Sequence, residues 1–126
     1  MKKLLQLNTM KKLLLLLMIV PMIGVGQSFV SPINYVNNET NQKKVISYIQ
    51  KDVKQTYSAI GMDDPSTLRM MEKENLNAFK ELIEVKNTSL LKKVINTYCE
   101  IGMCNYSTIL MMYKEQNKAN NETLGW

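Results

Sequence analysis

The stretch Val53–Glu74, VKQTYSAIGMDDPSTLRMMEKE, returns 41 positions later as Val94–Glu115, VINTYCEIGMCNYSTILMMYKE. Twelve of the 22 aligned positions are identical, among them Tyr57/Tyr98, Ile60/Ile101, Gly61/Gly102, Met62/Met103, Met70/Met111 and Met71/Met112. A period near 40 residues is the length of one helix-turn-helix unit in helical-repeat proteins. The chain therefore reads as all-α, with two helix-turn-helix repeats of ~41 residues, about 41–86 and 87–118, inside one domain at 41–118. Two copies fall short of the ~3 that a free-standing solenoid needs. The expectation is a compact four-helix array with an approximate two-fold relation between its halves, or a homodimer.

The repeated positions have local physical reasons. Ile46, Ile49, Val53, Tyr57 and Ile60 recur at spacings of three and four, the signature of a helix with one apolar face. Leu68, Met71, Phe79, Leu82 and Ile83 continue the pattern in a second helix. Leu90, Leu91, Val94, Tyr98 and Ile101 give a third, and a fourth runs from Tyr106 to about Lys118. Gly61 and Gly102 stand where a left-handed residue closes a helix, with Met62 and Met103 folding back towards Tyr57 and Tyr98 in a Schellman motif. Asp64, followed by Pro65, and Asn105 are expected to cap the starts of the next helices.

Upstream, Lys2, Lys3, Lys11 and Lys12 precede the unbroken apolar run Leu13–Val20, then Pro21 and the small residues Gly24 and Gly26. A basic n-region, a short apolar core and a small-residue exit make residues 1–27 a secretory signal peptide, with cleavage near Gly26–Ser28. Met10 would serve equally as its start. The apolar run is shorter than the ~20 residues of a spanning helix, so no membrane span is expected after cleavage. The protein is predicted to be exported, to the periplasm or beyond the cell.

The 126-residue chain carries a formal charge of +5, but the signal takes four lysines and no acid with it, leaving +1. A nearly neutral mature chain gives no reason to expect nucleic acid as a partner. Residues 28–40, with Pro32 and several asparagines, read as a linker or loose arm, and residues 119–126 as a frayed tail.

There is no histidine, which removes the commonest general base near neutral pH and the commonest metal ligand. No glycine-rich phosphate loop is present. The carboxylate pairs Asp63/Asp64, Glu72/Glu74 and Glu81/Glu84 read as caps and solvated helix surface. Catalysis is not expected, and no catalytic residue is assigned.

Cys99 and Cys104 straddle the Gly102 turn, where the first copy has Ser58 and Asp63. In an exported protein this pair reads as a structural disulfide that fixes one turn. Six methionines form three matched pairs: Met62/Met103, Met70/Met111 and Met71/Met112. Their plain role is adaptable packing; the alternative is a thioether site for Cu(I) or another small ligand. Asn-x-Ser/Thr triplets begin at Asn38, Asn87, Asn105 and Asn121. They are glycan acceptors only in a eukaryotic pathway, whereas the signal has a bacterial form. Helical repeats offer extended faces to partners, so the expected role is a non-catalytic module that binds a protein or other macromolecule.

Overall fold

A computed structural model describes residues 28–126, and the proposed signal peptide at 1–27 lies outside them. Among the described residues there are four α-helices and no strand: α1 (Glu39–Ser58), α2 (Pro65–Leu82), α3 (Thr88–Glu100) and α4 (Tyr106–Asn121). No helix among them is long and apolar enough to cross a membrane.

Each helix begins on a short polar side chain that accepts a backbone N–H three residues on. Asn38 caps Asn41, Asp64 caps Thr67, Asn87 caps Leu90 and Asn105 caps Thr108, over 2.8, 2.9, 3.1 and 2.9 Å. The bond to Thr67 holds the Asp64 carboxyl below the usual range. Three of the four Asn-x-Ser/Thr triplets thus have their asparagine at a helix start. Both helix stops are Schellman motifs. Gly61 and Gly102 have φ of 73° and 79°, and Met62 N and Met103 N each donate to the carbonyl of Tyr57 or Tyr98 at 2.9 Å.

The core is drawn from every helix: Val45, Ile49 and Val53 of α1, Ala78, Phe79 and Leu82 of α2, Leu91 and Val94 of α3, and Tyr106, Ile109 and Tyr113 of α4. Three isoleucines expected inside are not. Ile46 is 42 % exposed, Ile60 63 % and Ile101 63 %. Val45 takes the inward position one residue from Ile46. Ile60 and Ile101 sit at the helix stops, where the chain has already left the helical path.

Residues 28–37 are an anchored strap, which corrects the loose arm expected from their composition. Phe29 packs on Tyr48 and Tyr106 with ring centroids 5.6 and 5.2 Å apart, and Tyr35 meets Phe79 edge-on at 4.9 Å. The Tyr106 hydroxyl donates to the Val30 carbonyl at 2.7 Å. Aromatic contact of this kind holds a segment that has no periodic structure of its own. At the other end α4 continues three residues past the expected Lys118, and Leu124 and Trp126 beyond it are fully exposed.

α1 packs on α2, α2 on α4, and α4 on α3. Ser107 N donates to Asn75 Oδ1 at 3.2 Å, and Lys114 reaches Glu81 at 2.9 Å. Advancing along α2 therefore advances along α4, so the two helices run in the same direction. A two-fold that sets Asn75 against Ser107 would also set Ser66 against Gln116, since each pair is shifted by 41 positions. The observed register puts Ser66 before the start of α4, so the hairpins are related by a step, which corrects the expected two-fold. The reason is length: α3 has 13 residues against 20 in α1. At 1.5 Å per residue it returns only about 20 Å, part-way along α2.

Cys99 and Cys104 are joined in a disulfide across the second turn, with Cα atoms 4.2 Å apart. The Tyr48 hydroxyl donates to the Cys104 carbonyl, tying this turn to α1. Replacing both cysteines by serine is expected to cost about 2 kcal/mol, the chain-entropy value for so short a loop. In a thermal melt that corresponds to a midpoint about 10 °C lower for a domain of this size.

Candidate functional site

A cleft of about 330 Å³ opens where α1, α2 and the start of α4 converge. α1 contributes Asp52, Thr56 and Tyr57; α2 contributes Met71, Glu74 and Asn75; α4 contributes Ser107, Thr108 and Met111, with Asn105 at its cap. Asn75 is 5 % exposed and is the buried polar residue of the core. Its side chain donates to the Met71 carbonyl at 2.9 Å and accepts from Ser107 N at 3.2 Å. Together with the Asn105 cap, this occupies the N–H groups of Ser107 and Thr108, two of the free donors in the first turn of α4. The helix start consequently has little left for an anion, although a bare helix N-terminus would attract one.

The cleft has two carboxylates, Asp52 and Glu74, and none of its walls is Lys or Arg. Asp52 is half-buried, and among the described residues it has no ion pair and no hydrogen bond. Burial raises its carboxyl above the usual range. Burial, and then the Asp52 charge, also pushes up the Tyr48 phenol one helical turn away. Tyr106 is raised by burial first, with Tyr48 next. The Ser107 hydroxyl oxygen is buried without a hydrogen-bond partner.

Because folding raises the Asp52 pKa, the folded chain holds that proton more tightly than the unfolded one. Stability from this group is greatest below the unfolded carboxyl value of about 3.9. It falls as pH rises from there through the raised folded value. Asp52→Asn is accordingly expected to melt a few degrees higher than the unmodified chain at pH 7. At pH 3 the two should melt together, and melts at both pH values check the sign.

A second feature runs along the opposite side of α2. Two hollows of about 320 and 260 Å³ between α1 and α2 share Ile46 and Leu76 and so form one groove. Leu76 lies about 160° round α2 from Ala78, which faces α4. Val45, Ile49, Phe79 and Ile83 give the groove an apolar lining, with Tyr35 of the strap at one end. Lys73 and Lys80 stand on its α2 side, and among the described residues neither makes an ion pair. Arg69 is satisfied locally by Glu72 at 3.4 Å.

The structure divides the six methionines. Met71 and Met111 line the polar cleft; Met62, Met70, Met103 and Met112 do not. Met70 and Met111 are 61 % and 57 % exposed, while Met71 and Met112 pack against the core. Of the turn residues, Tyr57 and Asn105 reach the cleft, whereas Gly61, Met62, Asp64, Tyr98, Gly102 and Met103 serve the turns and caps. Among the described residues no group of three or more His, Cys, Asp or Glu is placed to hold a metal ion.

Asp52 carries no signal in the sequence, and Ser107 and Thr108 stand out there only as the repeat matches of Ser66 and Thr67. Asn75 carries the one usable signal, since a mid-helix asparagine is unfavourable unless its amide has work to do. Glu74 is exposed, in keeping with a solvated helix surface, and stands on the wall of the cleft. No family model, curated protein or solved structure matches the chain.

Proposed function

We propose that this protein is an exported, non-catalytic interaction module made from two copies of one helical hairpin, which captures an acidic amphipathic helix of a partner protein in the α1/α2 groove. The observation that supports this most directly is the continuous apolar groove edged by two lysines without ion pairs. A helix laid in such a groove buries its apolar stripe on Ile46 and Leu76, and acids on its flank meet Lys73 and Lys80. The turn disulfide and the signal-like start at Lys2–Gly26 support export. The twelve identities in the 22 aligned positions of the two segments support duplication.

The test is a titration of isotope-labelled protein with an 18-residue helical peptide of leucine and glutamate, followed by NMR. Shifts should concentrate at Ile46, Leu76 and Lys80 and saturate below about 1 mM, a binding free energy of about 4 kcal/mol. Ile46→Glu alters a side chain that is already partly exposed, so the fold should survive and the shifts vanish. Shifts scattered over the surface, or none, would overturn the proposal. The same shifts on raising protein concentration alone would instead assign the groove to a homodimer.

One observation favours a second reading: Met71 and Met111 share the polar cleft, as a Cu(I) or small-ligand site would require. Competition for Cu(I) against a coloured chelator decides it. Failure of the unmodified protein to take any copper ends the metal version.

A further inference from the structure

We infer that the cleft between α1, α2 and the start of α4 is a binding site for a small primary ammonium, with Asp52 as the anchoring charge and Glu74 as the second carboxylate. The inference does not depend on the groove or its partner. Its basis is what the cleft contains and what it lacks.

A half-buried carboxylate normally finds a cation or several hydrogen bonds, because desolvating the charge is otherwise unfavourable. Asp52 has neither among the described residues, and no Lys or Arg lines the cavity. Filling the cavity with an anion is disfavoured twice over. Two carboxylates already face it, and the N–H groups of Ser107 and Thr108 are taken by Asn75 and Asn105. The groups left to recognise a ligand are the two carboxylates, which only accept, and the hydroxyls of Thr56, Tyr57 and Thr108, which can accept as well as donate.

An acceptor-rich site matches a group with several N–H donors and a positive charge. A primary ammonium has three donors, and a compact charge of this kind is the chemistry of a lysine head. The remaining walls suit a short carbon chain. Tyr57, Met71 and Met111 supply an aromatic ring and two polarisable thioethers, which pack against methylenes and tolerate a nearby cation. A volume of about 330 Å³ accommodates a ligand of a few carbons with room for water.

The experiment is calorimetric titration of the full chain with n-butylammonium, 1,4-diammoniobutane and tetramethylammonium. The two primary ammoniums should bind saturably, and tetramethylammonium, which has no N–H donor, at least tenfold more weakly. Asp52→Asn should lose at least tenfold in affinity for both primary ammoniums while melting no lower than the unmodified protein, so that lost binding is not lost folding. Glu74→Gln should weaken 1,4-diammoniobutane more than n-butylammonium. Absence of saturable binding up to about 10 mM would overturn the inference. Equal binding of tetramethylammonium, or binding untouched by Asp52→Asn, would do the same.

Discussion

Tyr106→Ala is expected to cost about 5 kcal/mol and to leave much of the protein unfolded in water at 25 °C. Tyr106 is 0 % exposed and touches three other rings, Phe29, Tyr48 and Phe79, at centroid distances of 5.2, 5.6 and 4.8 Å. Truncating a buried aromatic of this size removes about 3–5 kcal/mol through lost transfer energy and the cavity left behind. The Val30 carbonyl also loses its donor, adding about 1 kcal/mol or more. A small domain has about 5–15 kcal/mol in total. Tyr106→Phe separates the two contributions, since it keeps the ring and removes only the hydroxyl; its expected cost is about 1–2 kcal/mol. Urea unfolding followed by circular dichroism reads both. A loss below about 2 kcal/mol for the alanine variant would show that the strap and rings are not the centre of the core.

Asn75→Ala is the second large effect, at about 3 kcal/mol. The amide sits between α2 and α4 and is the acceptor for Ser107 N. Its removal leaves a backbone N–H at a partly buried helix start without a partner, for about 1–3 kcal/mol, and opens space in the core besides. The loss should be local as well as global. Amide exchange at Ser107 should accelerate beyond what the change in overall stability explains. Unchanged relative protection there would mean that water or another acceptor replaces the amide.

What could be read from the chain depended on how far apart the interacting residues lie. The stops at Gly61 and Gly102 and the caps at Asp64 and Asn105 were legible because each is settled within five residues. The disulfide was legible for the same reason. Ile46 was misplaced because an apolar stripe fixes a helix face only to within a residue, and Val45 beside it fits the inward path better. The strap was missed because Phe29 and Tyr35 act singly, without period, on rings as distant as Tyr106. The cleft was missed because its walls come from three helices. The register that brings Asp52, Asn75 and Ser107 together is set by the length of α3, which no motif announces.

The stepped relation of the two hairpins has a consequence for size. A step, unlike a two-fold, does not close on itself, and each hairpin added in the same way would offer a seat to the next. The seat on α2 is made by Asn75, Phe79 and Leu82. Forty-one positions on, the chain reads Gln116, Asn120 and Thr123, side chains too polar to hold another hairpin against water. The equivalent seat is thus polar, with Gln116 and Asn120 in the last turns of α4 and Thr123 just past its end, so a further hairpin would find no apolar surface there to grow the step into a filament.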